Sequence, residues 1–531
     1  MKKLFFITVF LFSYYCTVFG QRSTREAPVS LYMGISELLL NDETYKIMPS
    51  LDMDIIRQED EAKGIPPRFG FKHRVDYNLE NSGEWMDLPD GGRLWRLSLH
   101  CPEALSINLL YDQFWLPDGA KFFIYSNDYE HSIGAFTSLN NKGERDEVRG
   151  FATGLVYGNQ ITLEYYLSEG IDDIGIISIA YVVHGYRSPG YGQSDTCHVN
   201  INCSEGQNWQ NEKNAVARII ADGDKYCTGA LVNTTANDER PLLLTAHHNL
   251  DQNDFDAKEL DYWLFYWHYE SQGCTSMVEP TNISTSGAVI LAYHDFSDFA
   301  LLQLDNKDNP ANRPDITPYY LGWDASGNAN TGGAGIHQPY GDIKKICLSN
   351  QISNLASQFF LSYLAFAANT LWKVVWNTGI TESGSSGSPL LNNNKRIIGQ
   401  LTGGYSFCHD MSAPDYYGKF NISWNHNTDI KHQLKHWLDP NKTGATVLDG
   451  CGENFINRIV TTNTIFKGCS NINAQNVTIT NGATLTLKST GNINTQRITI
   501  NNNSKLILDA GGEVNIGSNF EVQVGSEFEI K

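Results

Sequence analysis

Beyond its first 20 residues, the sequence lacks the features of several protein classes. It contains no apolar run of about 18 residues, the length from which a membrane-spanning helix is inferred. Basic residues are scarce, with 39 Lys and Arg against 59 Asp and Glu, and the formal net charge is -20. This acidic excess argues against nucleic acid as the main partner. Disorder is disfavoured too, because 41% of the residues are hydrophobic and 12% are aromatic.

Metal-ligand patterns are also missing. No Cys/His spacing suits zinc and no EF-hand loop appears, so we expect no metal and no other cofactor. The sequence has 10 cysteines, of which only Cys16 lies within the first 20 residues. In an exported chain the later cysteines are expected to form disulfides, and their odd number leaves at least one free or paired with another chain.

Residues 1–20 are predicted to be a signal peptide. Lys2 and Lys3 give a positive start, residues 4–12 are apolar, and residues 18–20 (VFG) supply small-enough residues at the cleavage positions. The alternative is a membrane anchor, which the short apolar run disfavours. We therefore expect a secreted or cell-surface protein.

With 531 residues the chain is too long for one ordinary domain. Residues 21–191 contain alternating apolar and polar runs separated by Gly, Pro, Asn and Asp, which predicts a β-sandwich-like domain. A turn-rich joint at residues 187–194 ends this domain and is accessible to proteolysis. Cys101, in its middle, is interpreted as a buried thiol rather than a reactive one.

Residues 192–450 are again rich in predicted strands, and residues 451–531 differ from them in composition. In this last part Val477-Thr-Ile479 recurs 21 residues later as Ile498-Thr-Ile500, with a third, imperfect copy near the end. Two short strands in each unit, without a helix between them, predict a small β-helix-like repeat module. A small antiparallel sandwich is the alternative. Cys451 and Cys469 could form a disulfide at the entry to the module.

The candidate chemistry lies in residues 381–389 (TESGSSGSP), which would place Ser386 on a tight turn. A serine hydroxyl needs a general base, and the base needs a third group to orient it. Taken alone, the stretch is more typical of a plain Gly/Ser loop. However, His248, Asp298 and Ser386 occur at strand ends in the His–Asp–Ser order of the chymotrypsin class. The backbone N–H groups of Gly384 and Ser386 would then form the oxyanion hole.

Two adjacent histidines compete for the role of base. Residues 244–248 read LTAHH, so His247 and His248 both follow an apolar strand. If both lay on the strand, they would point to opposite faces and only one could face the site. Periodicity alone does not decide between them.

At this point the sequence resembles a known family. Residues 197–450 are similar to the bacterial lysyl endopeptidases, which are secreted serine proteases with a trypsin-like fold. The matching words include LTAHH (244–248), SDFALLQL (297–304), TESGSSGSP (381–389), GQLTGG (399–404) and DYYGK (415–419).

The resemblance implies an all-β protein with a chymotrypsin-like double β-barrel protease domain. It also implies that the second histidine, His248, is catalytic and that Asp415 forms the floor of the specificity pocket. A buried carboxylate suits a substrate with a cationic side chain. Trp376 matches a family tryptophan beside the site, and residues 21–191 resemble the family's propeptide.

The resemblance further implies two disulfides, Cys197–Cys408 and Cys203–Cys274.

Three positions in the sequence differ from the residues expected in the family or in digestive proteases. Thr402 stands where the family has a histidine that pairs with the tryptophan near the pocket, which leaves the choice between Lys and Arg open.

Asn249 replaces a family cysteine, so Cys227 is either unpaired or joined elsewhere, with Cys347 as a candidate. Ser385 stands where digestive proteases carry an Asp that pairs with a freed N-terminal amine. Since Ser385 cannot form that ion pair, we expect activation to work differently.

The sequence thus predicts a secreted serine endopeptidase that cuts proteins after Lys, with cleavage after Arg left open. Residues 21–191 are predicted to be a folding aid and inhibitor removed by cleavage, with Arg187 as a possible cut site. The module at residues 451–531 is predicted to serve secretion or surface attachment. The alternatives are an Arg-preferring trypsin-like protease and an inactive protease-fold adhesin.

Overall fold

A computed structural model describes residues 26–34, 45–63, 68–188, 190–250, 260–275, 278–280, 283–328, 332–361 and 364–531, without the side chains of residues 62 and 63. The expected signal peptide, residues 1–20, lies outside the described residues. The protein is all-β, as expected. Its α-helices are short: Val29–Tyr32, Met53–Lys63, Phe420–Asn425 and Lys435–Leu438. One-turn or slightly longer 3-10 helices occur at Ser138–Asn140, Ser204–Trp209, Glu212–Ala215, His247–Asn249, Asn306–Asp308, Pro310–Asn312, Pro339–Gly341 and Ile430–His432.

The N-terminal domain, residues 26–188, is a sandwich of two sheets, as predicted. The first sheet contains, in spatial order, Tyr45–Ile47, Arg93–His100, Gln160–Leu167, Lys121–Ser126 and Ser132–Phe136, with Glu84–Asp87 paired to Arg93–His100. The second contains Phe151–Ala152, Ser106–Trp115, Ile176–Gly185 and Gly70–Asn78, with Val156–Tyr157 paired to Ser106–Trp115. A small hairpin joins Gly143–Glu144 and Glu147–Val148. Alternate residues of the strands, such as Trp95, Leu97 and Leu99, are buried in a core between the sheets.

The central domain is a chymotrypsin-like double barrel, and its first sheet carries the histidine and the aspartate. This sheet contains Ile283–Ser286, Leu264–Trp267, Val216–Ala221, Lys225–Leu231, Leu242–Ala246, Phe299–Leu304 and Ala288–His294, in spatial order. Leu242–Ala246 and Phe299–Leu304 pair antiparallel, with Ala246 opposite Phe299. The residues that follow the first strand and precede the second are therefore neighbours, which brings His248 to Asp298.

The second sheet carries the serine turn and the candidate pocket. It contains Val199–Asn200, Lys345–Ser349, Gly333–His337, Pro389–Asn392, Arg396–Gly404, Asp415–Lys419, Leu371–Val375 and Gln351–Asn354, with Gly322–Asp324 and Val447–Leu448 at its side. A hairpin of Phe359–Leu361 and Leu364–Phe366 projects beside it. Gly404 pairs with Asp415 at the end of the central ladder.

The C-terminal module is a parallel β-solenoid, which confirms the β-helix prediction and excludes the antiparallel alternative. One face contains Asn454–Val460, Ile472–Ile479, Ile493–Ile500, Val514–Ile516 and Phe520–Val522. The other contains Thr464–Lys467, Thr484–Ser489, Lys505–Ala510 and Glu527–Ile530. The parallel register places Val477 opposite Ile498, which is the 21-residue repeat seen in the sequence.

Three disulfides connect the described cysteines: Cys197–Cys408, Cys203–Cys274 and Cys451–Cys469. Among the same residues, Cys101, Cys227 and Cys347 are free and buried. The suggested Cys227–Cys347 bond is therefore wrong. Cys227 belongs to the first barrel and Cys347 to the second, and each is packed into a different apolar core.

Candidate active site

The His248 side chain is oriented by Asp298. Its Nδ1 is 2.8 Å from Asp298 Oδ2, and its backbone N–H donates to Asp298 Oδ1 at 3.0 Å. Both side chains are buried. His248 Nε2 has no hydrogen-bond partner among the described residues, so this nitrogen is available to a reacting group.

His247 has a different environment. Its ring stacks on Tyr293 at 5.5 Å between centroids, and its backbone N–H donates to the Asp298 carbonyl. Both histidines lie on the 3-10 turn His247–Asn249 and not on the strand, so the expected strand alternation does not apply to them. The geometry selects His248 as the histidine whose side chain contacts the Asp298 carboxylate.

Asp298 has a strained backbone. Its φ is 55°, a left-handed conformation that is unfavourable for residues other than glycine. Two hydrogen bonds to the Asp298 carbonyl hold this conformation. His247 N donates from the histidine turn at 3.0 Å, and Gln400 Nε2 donates from the second sheet at 3.2 Å. The strain therefore lies where the carboxylate must be aimed at the imidazole.

The serine turn is pressed against the strand that leads to His248. A Cβ on Gly387, whose φ is +83°, would lie 2.1 Å from Thr245 Oγ1, so only glycine fits this position. The Ser386 carbonyl accepts Thr228 N–H at 2.9 Å. Ser386 itself is buried, and this close approach places it beside the turn that carries His248.

Asn249 makes a connection that the sequence did not reveal. Its Nδ2 donates to Thr245 Oγ1 at 2.9 Å and to the Ser386 carbonyl at 3.2 Å. It thus links the histidine turn directly to the serine turn. The family resemblance identified Asn249 as a position that had lost a disulfide, but not as a residue with a contact of its own.

Two backbone N–H groups of the serine turn are free to bind a ligand oxygen. Within the described residues, the N–H groups of Gly384 and Ser386 donate to no protein acceptor. Gly384 has a φ of +88°, and its carbonyl is held by Thr228 Oγ1 at 2.9 Å. A pair of unused donors on a fixed turn is what an oxyanion hole requires.

Asp415 lies buried at the end of a strand and is surrounded by donors. Its Oδ2 accepts from Trp376 Nε1, Thr381 Oγ1 and Ser406 Oγ at 2.6, 2.7 and 2.7 Å. Its Oδ1 accepts Ser406 N–H at 3.1 Å. Burial raises the pKa of Asp415, while the hydrogen bonds oppose that shift.

No Lys, Arg or His of the described residues forms an ion pair with Asp415. A Cβ on Gly404 would lie 2.0 Å from Asp415 Oδ1, so the wall beside that oxygen has no side chain. A buried carboxylate without a counter-ion among the described residues can pair with an external cation.

Thr402 is fully buried at the bulge that interrupts the pairing of Arg396–Gly404 with Asp415–Lys419. Its hydroxyl has no partner among the residues described here. Trp376 thus donates a hydrogen bond directly to Asp415. Thr402 lies two residues before Gly404, the residue at the pocket wall, in the sequence.

The N-terminal domain contacts Tyr226, on a strand next to the serine turn. Phe69 stacks on Tyr226 with ring centroids 4.3 Å apart and an interplanar angle of 16°. Its N–H donates to the Asp224 carbonyl at 2.7 Å. Tyr226 lies two residues before Thr228, which holds Ser386. A cavity of about 610 Å³ lies beside this contact, lined by Arg68, Phe69, Arg187, Ser188, Gln193, Asp195, Tyr226, Tyr340 and Glu382.

In the described ranges, no group of three or more His, Cys, Asp or Glu has the geometry to hold a metal ion. No described helix is long and apolar enough to span a membrane.

Comparison with known proteins finds similarity to one family. Residues 191–418 match the family model described as "Lysyl endopeptidase, C-terminal domain". The lysyl endopeptidase of Pseudomonas aeruginosa PAO1 is 28% identical over 369 residues, which cover 64% of this chain and 75% of that protein. The chain is therefore similar to the lysyl endopeptidases over its central domain.

The protein is a serine endopeptidase. Solved structures with similarity include the active form of the Rv3671c protease from M. tuberculosis, with 13% identity and a TM-score of 0.29 over 43% of this chain and 87% of that chain. The MamO protease domain of Magnetospirillum magneticum has 11% identity and a TM-score of 0.29 over 42% of this chain and all of that chain. Since these scores are low, the double-barrel fold rests on the strand topology described above.

Proposed function

We propose that this serine endopeptidase cleaves after lysine, with Ser386 as nucleophile, His248 as general base and Asp298 as the group that orients the imidazole. The support for the base is its geometry, because Asp298 binds Nδ1 and leaves Nε2 free to receive a proton. Ser386 Oγ attacks the scissile carbonyl while His248 takes its proton, and His248 later gives that proton to the leaving amine. Asp298 stabilises the imidazolium that forms in between.

Gly384 and Ser386 N–H groups stabilise the oxyanion of the tetrahedral intermediate. Removal of one such donor costs about 3 kcal/mol of transition-state stabilisation in this class of enzyme. Because Gly384 is fixed through Thr228, its N–H is preorganised and needs little reorganisation during the reaction.

Lysine specificity is supported by the donor pattern around Asp415. Oδ2 already accepts three hydrogen bonds, whereas Oδ1 accepts one. The fork of an arginine guanidinium pairs best with both oxygens of a carboxylate, but a lysine ammonium acts as a point charge. A carboxylate with one crowded oxygen therefore favours lysine over arginine. This asymmetry is the observation on which the proposed preference rests.

We also propose that the N-terminal domain is a propeptide that inhibits the enzyme until the joint is cut. Phe69 occupies the aromatic wall at Tyr226, beside the strand that holds Ser386. Arg187, the possible cut site, forms an ion pair with Asp60 at 2.8 Å. Its side chain must leave this ion pair before it can enter a protease pocket. Secretion is part of the proposal, supported by the three disulfides, which form in oxidising compartments.

The test is a cleavage-site profile measured by mass spectrometry. Processed wild-type protein and its Ser386→Ala variant receive the same denatured protein mixture. We expect cuts after Lys with the wild type and none with the variant. Cuts after Arg at a similar rate would contradict the argument from Asp415, and a Ser386→Ala variant that still cuts would contradict the assigned nucleophile.

Ser349→Ala serves as the matched control. The Ser349 hydroxyl donates to the Val375 carbonyl at 2.6 Å in the same barrel, away from the triad. This variant should cut like the wild type. A wild-type protein that is correctly processed and folded but makes no cut would support the inactive adhesin instead.

A further inference from the structure

Ser385, the residue before the proposed nucleophile, is hydrogen-bonded to a buried histidine. Its Oγ lies 2.7 Å from His337 Nδ1 and accepts Glu382 N–H at 3.2 Å. The Ser385 hydroxyl can donate its hydrogen to Nδ1 in the tautomer of His337 that carries its proton on Nε2. His337 is fully buried, and burial lowers its pKa well below the ordinary value, so the neutral ring can accept this hydrogen.

Glu382 connects the same turn to the start of the protease domain. Its Oε2 lies 2.8 Å from His198 Nε2 and accepts Asp195 N–H at 3.2 Å. Between these two residues, Cys197 is bonded to Cys408. Residues 195–198 are thus fastened to the serine turn by a main-chain N–H, an imidazole and a nearby disulfide.

The contacts of Ser385 differ from those made by the residue at the same sequence position in digestive proteases. Digestive proteases of this fold carry an Asp at the position of Ser385, and a freed N-terminal amine pairs with it. In this chain Asp342 holds the joint by accepting Gly192 N–H at 2.8 Å and Ser194 N–H at 3.3 Å. The contacts at the joint and at residues 195–198 are made by groups within the chain, so none of them requires a chain terminus.

We infer that His337, bonded to Ser385, and His198, bonded to Glu382, are positioning residues that hold the serine turn and its oxyanion hole in the working conformation without a freed N-terminus. This inference rests on the proposed role of Ser386. The two pairs form a unit that we call the histidine clip: His198, His337, Glu382 and Ser385. The clip fixes the turn around Gly384, whose position is also set by Tyr340 N–H donating to the Ser383 carbonyl at 2.6 Å.

We expect the hydrogen bond between His337 and Ser385 to be lost at acidic pH. The charged and titratable groups around His337 are His198, whose ring lies 5.5 Å away, and Lys345, with Glu382 bonded to His198 and Asp342 3.5 Å from Lys345. A proton on His337 would remove the acceptor of Ser385 and add a charge near Lys345. Since the pKa of His337 is depressed in the folded chain, its contribution is present above about pH 6.5 and is lost as the pH falls.

The first test is the pH dependence of kcat for the processed enzyme on a short fluorogenic peptide with one lysine. A clip made by histidines predicts a constant kcat between about pH 7 and 9.5. If a protonated N-terminal amine held the turn instead, kcat would fall as the amine loses its proton, with a midpoint between about pH 8, where free amines titrate, and about pH 9.5, because pairing with a carboxylate raises the pKa of an amine. A fall of kcat with a midpoint in this range would overturn the inference.

The second test uses His337→Leu and His337→Asn. His337→Leu removes the acceptor, and we expect kcat to fall about 100-fold while KM and the binding of butylamine, an alkylammonium like the lysine side chain, to the Asp415 pocket stay within threefold. His337→Asn restores an acceptor and should recover at least tenfold. A His337→Leu enzyme with wild-type kcat would refute the clip.

If His337→Leu does not fold, Ser385→Ala decides the question, because it removes only one hydroxyl. We expect a loss of at least tenfold in kcat with unchanged KM, against wild-type values for the Ser349→Ala control. Unchanged kcat in Ser385→Ala would overturn the inference. Failure of the proposed function is separate, since it would appear as an inactive wild type or an active Ser386→Ala variant.

Discussion

The two β-rich regions that flank the protease domain are attached to it in different ways. The N-terminal domain has a core of its own, and a separate cluster joins it to the first barrel. The C-terminal module shares a single continuous core with the protease domain, in which Phe455 and Phe466 join the same cluster as Tyr319. We therefore expect the protease core to stay closed when the first region is removed and to be exposed when the second is removed.

The polar contacts follow the same division. At the N-terminal interface, ion pairs such as Arg149–Asp261 at 2.6 Å and Lys72–Asp224 at 3.3 Å surround the Phe69–Tyr226 stack. Such a mixture of aromatic and charged contacts is typical of interfaces between partners that separate. At the C-terminal junction, Tyr320 and Cys451 pair through their backbones, so the chain enters the module as part of the protease sheet system.

The largest expected effect comes from removal of the C-terminal module. Deletion of residues 452–531 would expose apolar residues of the shared core, each worth about 2–5 kcal/mol, against a total stability of about 5–15 kcal/mol. We expect no folded protease from this truncation, measured as soluble yield and thermal unfolding. The processed enzyme without the N-terminal domain should remain folded. A truncated protein that unfolds at the wild-type temperature would contradict the claim that the C-terminal module shares the protease core.

A smaller effect is expected from the disulfide at the junction. Replacement of Cys451 and Cys469 by Ser opens a loop with a sequence separation of 18 residues. This should lower the free energy of unfolding by about 3 kcal/mol, measured by urea denaturation of the processed enzyme. Cys101→Ala is the control, because Cys101 leaves with the N-terminal domain and should not change the stability of the processed enzyme.

The N-terminal interface can be weakened at Phe69. We expect Phe69→Ala to raise the inhibition constant of the N-terminal domain, added in trans to the processed enzyme, about 100-fold, or about 2.7 kcal/mol. The reason is the loss of the stack on Tyr226. Met86→Ala, an exposed position on an edge strand of the same domain, should have no effect. Equal inhibition by both variants would show that Phe69 does not anchor the domain.

The smallest effect is a difference in acid stability between the two regions. His184 is buried in the N-terminal domain, 5.7 Å from His73 between ring centroids, and burial lowers the pKa of His184 to about 4. A depressed folded pKa means that the stabilisation is complete above about pH 6.5 and is lost as the pH falls toward 4, by about 2 kcal/mol. Residues 451–531 contain no histidine.

Hydrogen exchange on full-length Ser386→Ala protein at pH 7 and 4.5 checks this difference. After correction for intrinsic rates, protection should fall in the N-terminal domain and hardly change in the module. His184→Gln should reduce the difference. Equal loss of protection in both regions would contradict the role of the buried histidines.

Much of this architecture was predictable because the signals are local. Alternation along Arg93–His100 indicated a strand with one buried face, and the recurrence of residues 477–479 at 498–500 indicated stacked parallel coils. The absence of a disulfide at Cys227 was only partly predictable. The replacement at Asn249 showed that the expected partner was absent, but not that Cys227 would be buried in the first barrel.

The candidate site was only partly predictable, since its parts are far apart in the sequence. The choice between His247 and His248 depends on a 3-10 turn that strand alternation misrepresents. The Asn249 contact with Ser386 crosses 137 residues and has no local signal. The histidine clip was missed for the same reason, because His198 and His337 carry no motif around them.

The β class, the order of the three regions, the repeat period and the residue types that could perform acyl transfer can be read from the amino-acid sequence. They follow from periodicity and from short motifs such as TESGSSGSP. The folded structure was needed to show which histidine contacts Asp298, how the hydrogen-bond donors are distributed over Asp415, and which flanking region shares the protease core. Those properties depend on distances between residues far apart in the chain, and packing alone sets such distances.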